Sequence, residues 1–229
     1  MTALVTTADL VTCAGVARTF GTGPTAVVAV HDVTCSVSRT TRSALTGSSG
    51  SGKSTLLHLL AGLDTPTAGT VNWPGLGGHP LARPGRIGVV FQGPSLLPAL
   101  TVAENVALPM LLDDSTERDA HARALEALAV LGIGDLHPRL PEELSGGQAQ
   151  RVAVARVLAA RPALILADEP TGQLDHDTAT TVIDALLTAC SELDAALVVS
   201  THDPLIAARL PEQWVMRDGS MIESREAGR

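Results

Sequence analysis

Short apolar runs bounded by glycine, proline or small polar residues recur along this chain, separated in places by stretches whose apolar positions return every three or four residues. The short runs predict strands at Leu10–Phe20, Ala26–Val37, Ser43–Thr46, Thr70–Trp73, Ile87–Phe91, Ala163–Ala167, Ala196–Ser200, Gln213–Arg217 and Ser220–Glu223. The last two are joined by an Asp218-Gly219 turn signal. The longer period predicts helices at Lys53–Leu63, Thr116–Leu131, Gly146–Ala160 and Asp177–Leu193, with a short one after Asp203. Strands alternate with helices in the first and last thirds, which predicts a mostly parallel sheet covered by helices. The middle, Gly93 to Arg161, shows no convincing strand and reads as a helical insertion. The first two strands read as an antiparallel side sheet, and Pro66–Gly69 and Pro74–Gly85 as loops. The expected organisation is one domain, with 1–92 and 162–229 as the core and 93–161 as a helical subdomain.

Composition narrows the function classes. Of 229 residues, 45% are hydrophobic, 17% charged and 2% aromatic, so a core of Ala, Val, Leu and Ile is expected. A net charge of −8 without a basic cluster argues against nucleic acid or a strongly anionic lipid surface as the main partner. Cys13, Cys35 and Cys190 have no metal-ligand spacing and are expected to be reduced thiols. Met1 to Phe20 shows no signal-peptide pattern, and no run reaches the about 18 apolar residues that a membrane span needs. A soluble chain that could dock on a membrane protein is the expectation. Lys53 is the only lysine among 16 basic residues, in a chain rich in Arg, Ala, Gly and Pro. A lysine that survives such a bias has a reason to be one.

That reason is local. Gly47-Ser48-Ser49-Gly50-Ser51-Gly52-Lys53-Ser54 fits G-x-x-x-x-G-K-[ST] between a predicted strand and the helix that Thr55 continues. The glycines let backbone N–H groups converge on phosphate oxygens, and the helix N-terminus adds partial positive charge. Lys53 offers a compact cation to the β- and γ-phosphates of ATP, and Ser54 a hydroxyl to Mg²⁺. Downstream, Ala163-Leu-Ile-Leu-Ala-Asp168-Glu169 is an apolar strand ending in two carboxylates, at the sheet edge where α/β folds place ligands. Asp168 would hold Mg²⁺ directly or through water, and Glu169 would polarise the attacking water. Taken alone, the pair reads equally well as a helix N-cap and a solvated acid. Leu144-Ser145-Gly146-Gly147-Gln148 opens a helix with a good cap, and its two glycines would let a phosphate approach the backbone.

That pentapeptide, the Ala149-Gln-Arg-Val after it and the Asp168-Glu169 strand resemble the signature region of ATP-binding-cassette (ABC) ATPases. Gln92, Gly172-Gln-Leu-Asp175 and His202 fall in that family's order and resemble its Q-loop, D-loop and switch histidine. Phe20 matches the aromatic that stacks on adenine. The resemblance covers about Ala14 to Ile222 and implies a RecA-like P-loop NTPase fold with an antiparallel β subdomain and a helical insertion. It implies ATP hydrolysis by two subunits arranged head to tail. Each ATP would lie between the phosphate loop of one subunit and Ser145, Gly146, Gly147, Gln148 and Asp175 of the other. Gln92 would join Ser54 and Asp168 around Mg²⁺, and His202 would touch the γ-phosphate. A separate transmembrane permease would receive the motion, which places the chain at the cytoplasmic face of the membrane. Softer matches, Ile87–Val90, Gln92–Pro98, Thr101–Val106 and Ala167–Gly172, resemble the subfamily of lipoprotein release, macrolide and peptide export, and cell-division complexes. A mechanotransmission ATPase that transports nothing fits the same residues. A soluble ABC ATPase fits less well: the ribosomal kind has two cassettes and a basic linker, and the DNA-repair kind a long coiled coil. Departures from the family are Ser48 for Pro, Thr40-Thr41 for Gly-Glu, Ala149 for Gln and Gln173 for Asn, of which Thr40-Thr41 puts the turn before the loop strand in doubt.

Overall fold

A computed structural model describes residues 9–82, 85–113 and 115–226. The chain forms strands β1 (Asp9–Phe20), β2 (Val27–Ser38) and β3 (Arg42–Thr46), helix α1 (Lys53–Leu60), then β4 (Ala68–Asn72) and β5 (Ile87–Val90). Helices α2 (Val102–Leu111), α3 (Glu117–Val130) and α4 (Gly146–Ala160) follow without an intervening strand among the described residues. The chain then continues through β6 (Leu164–Asp168), α5 (His176–Glu192), β7 (Ala196–Ser200), α6 (Pro204–Ala207), β8 (Glu212–Arg217) and β9 (Ser220–Glu226).

Six strands make the main sheet in the order β5-β6-β7-β3-β8-β9, all parallel except β9. The alternation along its strands explains why helices cover both faces. In β6, Leu164 and Leu166 point into one apolar cluster while Ile165 and Ala167 point into another. In β7 the same split puts Ala196 and Val198 against Leu197 and Val199. The first face is filled by Leu56, Leu57, Leu59 and Leu60 of α1 and by Leu10, Val16, Val30 and Val33 of the side sheet. The second is filled by α5 and by α2–α4, whose Val106, Leu128 and Val152 share one cluster with Ile165 and Leu197. With all five residues buried, β6 and β7 carry the continuous apolar pattern of central parallel strands.

The side sheet has three strands, β2-β1-β4, where the sequence pattern predicts two. Ala68–Asn72 is mostly exposed and is placed in the sheet by pairing with β1, which no local pattern signals. α1 stops at Leu60, three residues short of the expectation, and Gly62 stands in a left-handed turn. The Thr40-Thr41 turn that replaces the family's Gly-Glu is held by hydroxyls: Thr41 Oγ1 accepts from the Ser38 N–H at 3.0 Å, and Thr40 and Thr41 both contact Ser38 Oγ.

No periodicity singles out α2. It is apolar almost all round, with Val102, Ala103, Val106, Ala107 and Met110 buried, and it contains Pro109. Its start does have a sequence signature. Thr101 and Glu104 form a reciprocal capping box, with Thr101 Oγ1 accepting from the Glu104 N–H and Glu104 accepting from the Thr101 N–H at 2.7 Å. The Thr101 N–H and hydroxyl, both donating to the Glu104 carboxylate, hold it below its ordinary pKa. Thr101→Ala removes the cap and is expected to lower stability by about 1 kcal/mol, or roughly 2–4 °C in Tm by thermal melting.

Candidate active site

The loop after β3 depends on close backbone approach at both ends. A Cβ on Gly47 would lie 2.4 Å from the Met216 carbonyl oxygen, and one on Gly52 2.2 Å from that of Ala29. The loop is braced from behind: the Gly219 N–H in the β8–β9 turn donates to the Ser51 carbonyl at 3.1 Å, and the Gly219 carbonyl accepts from the His31 N–H at 2.7 Å. Lys53, 8% exposed, donates from Nζ to the Gly47 carbonyl at 2.9 Å and the Ser48 carbonyl at 3.1 Å, so its ammonium lies inside the curl of the loop. No side chain caps α1, and Gly52, Lys53, Ser54 and Thr55 all line a cleft of about 830 Å³.

Asp168 and Glu169 enter the same cleft from the end of β6, Gln92 from beyond β5, and His202 from beyond β7. Because β6, β7 and β3 are adjacent and parallel, their carboxyl ends meet on one edge of the sheet. Asp168 is buried, and the Ser200 hydroxyl donates to its Oδ1. Ser200 Oγ also accepts the Glu169 N–H at 3.0 Å. One serine thus orders both carboxylate residues. Glu169 stands at φ 47, a left-handed conformation unusual outside glycine, and its Oε2 lies 2.9 Å from His202 Nδ1. Since a carboxylate only accepts, Nδ1 carries the proton in that contact. His202 is 72% exposed and Glu169 13%.

Of the expected nucleotide ligands, Ser49, Gly50, Gly52, Lys53, Ser54, Thr55, Gln92, Asp168, Glu169 and His202 are brought together in the cleft. Gly47, Ser48 and Ser51 belong to the loop without lining it. Gln92 lies two residues beyond the end of β5, one further than the pattern predicts. Phe20 ends β1, is 43% exposed and is not among the lining residues; the Arg18 guanidinium carbon sits 4.5 Å over its ring. Ser145, Gly146, Gly147, Gln148 and Asp175 also stand outside the lining. Ser145 and Gln148 form a capping box at the start of α4, and Asp175 caps α5 by accepting from Thr178, which holds its carboxyl below the ordinary value. The two signature glycines also have an intramolecular reason. A Cβ on Gly146 would meet Gln173 Oε1 at 2.7 Å, and one on Gly147 would meet Leu174 at 3.1 Å. Ser200 and Ala29 are site residues that sequence reasoning missed. A lone serine closing an apolar strand was the only hint of the first, and nothing local marks the second.

Comparison with known proteins identifies the family. Residues 30–172 match the family described as ABC transporter. The lipoprotein-releasing system ATP-binding protein LolD of Bordetella pertussis and that of Bordetella parapertussis are each 40% identical over 211 residues, covering 89% of this chain and 91% of theirs. The ATP-binding cassette MJ0796, solved as a dimer in a post-hydrolysis state with ADP and Pi, superposes with a TM-score of 0.89 at 33% identity, covering 95% of this chain and 98% of its own. CbiO1 of Clostridium perfringens, part of the transporter complex cbiONQ, gives a TM-score of 0.81 at 26% identity, covering 96% and 89%. On these matches the chain belongs to the ABC transporter family, as an ATP-binding subunit with ATPase activity.

Proposed function

We propose that two copies of this chain, arranged head to tail, hydrolyse ATP to drive a separate membrane permease of the export or lipoprotein-handling kind. The observation that carries the reading is the division of the site. Lys53, Ser54, Gln92, Asp168, Glu169 and His202 share one cleft, while Ser145, Gly146 and Gly147 lie outside it at the start of a capped helix. A second subunit brings that helix start to the ATP held by the first. The 40% identity to a lipoprotein-releasing ATP-binding protein favours the subfamily. The exposed Leu97, Leu111 and Leu112 around the helical insertion, 93–161, suit an apolar partner surface. No helix among the described residues is long and apolar enough to cross a membrane, so anchoring at the cytoplasmic face falls to the permease.

The donor set fits Mg²⁺. Ser54, Gln92 and Asp168 offer oxygen only, and one buried carboxylate with a hydroxyl is the usual protein share of a magnesium–nucleotide site. When bound, the ion neutralises charge on the β- and γ-phosphate oxygens. The chain's own groups do the rest. Lys53 and the amides of 47–55 hold the phosphates, and Ser200 keeps Asp168 oriented. Glu169 takes the proton of the attacking water, and His202 holds Glu169 and reaches the γ-phosphate. Phe20 stacks on the adenine.

Mixed dimers test the shared site. Lys53→Ala and Gly146→Asp subunits are each expected to be inactive alone. Mixed in equal amounts with exchange, they regain about a quarter of the parent turnover, because each mixed dimer has one intact site. Failure to regain turnover in dimers shown to be mixed would place the signature contact within one subunit.

A further inference from the structure

The segment carrying Gln92 is held on both sides by α4. Gln150, fully buried, reaches from Nε2 to the Phe91 carbonyl at 3.4 Å. Nearly two turns further along α4, Arg156 sets both arms of its guanidinium on one residue. Nη1 donates to the Ser95 carbonyl at 3.0 Å and Nη2 to Ser95 Oγ at 2.9 Å. Ser95 stands at φ 43, the left-handed region that a residue with a Cβ adopts only when its surroundings enforce it. Arg156 is half-buried and forms no ion pair among the described residues. Burial draws its guanidinium below the ordinary value, so its charge is set against a loop carbonyl and hydroxyl without a carboxylate. Gln92 itself is exposed, and its side chain makes no hydrogen bond among the described residues. Its place in the cleft is therefore inherited from the backbone on either side, at Phe91 and Ser95.

We propose that Arg156 is the positioning residue for Gln92: its fork on Ser95, with Gln150 at Phe91, fixes the 91–95 segment and ties it to α4. The same helix begins at Ser145-Gly146, so a contact made there by the partner's nucleotide is carried along a rigid element to the glutamine of the subunit's own cleft. The inference rests on the proposed role of Gln92 in that cleft.

Arg156→Lys keeps the charge and loses the fork, since one ammonium cannot serve a carbonyl and a hydroxyl with the same planar geometry. Hydrogen–deuterium exchange on the nucleotide-free protein is expected to rise at residues 92–97 and to stay unchanged in β6. Turnover is expected to fall about tenfold, with the ATP dissociation constant within about twofold of the parent. Gln92→Ala is expected to show a similar turnover loss without the exchange change, and the double variant no further loss. Unchanged exchange at 92–97, turnover within about twofold of the parent, or additive losses in the double variant would each overturn the proposal. Should Gln92→Ala turn over like the parent, the role of Gln92 fails. A still-impaired Arg156→Lys would then show that Arg156 acts by another route. If Arg156→Lys does not fold, Ser95→Ala removes one arm of the fork from the exposed side. The same exchange and turnover changes are expected of it, and their absence would equally overturn the proposal.

Discussion

Glu169→Gln is expected to bind ATP as the parent does and to lose at least about 100-fold in turnover, the scale of a positioned general base. The substitution is nearly isosteric. The Glu169 N–H still meets Ser200 Oγ, and the left-handed backbone at φ 47 is undisturbed, so the cleft keeps its shape. What disappears is the group able to accept a proton from water. The amide oxygen can still accept from His202 Nδ1, so His202 stays in place and the loss is confined to the chemistry. With ATP bound and not consumed, the head-to-tail dimer is expected to persist, and size-exclusion chromatography with ATP should show a dimer that the parent does not accumulate. Turnover within about threefold of the parent would remove Glu169 from the role of base.

Lys53→Arg is expected to lower kcat/KM by about 10- to 100-fold, although charge is conserved. That drop corresponds to losing one well-made charge-assisted hydrogen bond, about 1.5–3 kcal/mol. The ammonium lies within a loop whose curvature is set by Gly47 and Gly52, each with a foreign carbonyl oxygen closer than a Cβ tolerates. A guanidinium is broad and planar, and at 8% exposure it has little room to turn. The loss should appear in nucleotide affinity as well as in turnover, read by fluorescent ATP titration and by steady-state kinetics. An unaffected variant would mean that the only lysine in an arginine-rich chain stands there by accident.

Much of this site was legible one residue at a time. The phosphate loop carries its own signature because its geometry is local: two glycines at close approaches and a lysine at a helix start span seven residues. The Asp168-Glu169 pair was legible as chemistry yet ambiguous as function, since a buried strand ending in two acids also describes a capped helix. The phosphate loop beside it, and the family-like order of Gln92, Ser145, Asp168 and His202 along the chain, favour the nucleotide-site reading. Other features were only partly legible. β4 was readable as a short strand at Thr70–Trp73, but its place in the side sheet comes from pairing with β1, which no local pattern signals. α2 escaped a periodic reading because it is buried nearly all round, although Thr101 and Glu104 marked its start.

By itself, then, the sequence determined which chemical groups are present, which strands are buried on both faces and which loop can cradle phosphates, because each of these depends on residues within a few positions of one another. Only the tertiary structure decided that Ser200 orients Asp168 and holds the Glu169 backbone, that Gly219 braces the loop at Ser51, that Ala29 lines the cleft, and that Arg156 and Gln150 hold the segment bearing Gln92. Those contacts join residues 31 to 168 positions apart along the chain: the ones around Ser200 meet because parallel strands bring their carboxyl ends to one edge of the sheet, and those of Arg156 and Gln150 because α4 packs against the segment after β5.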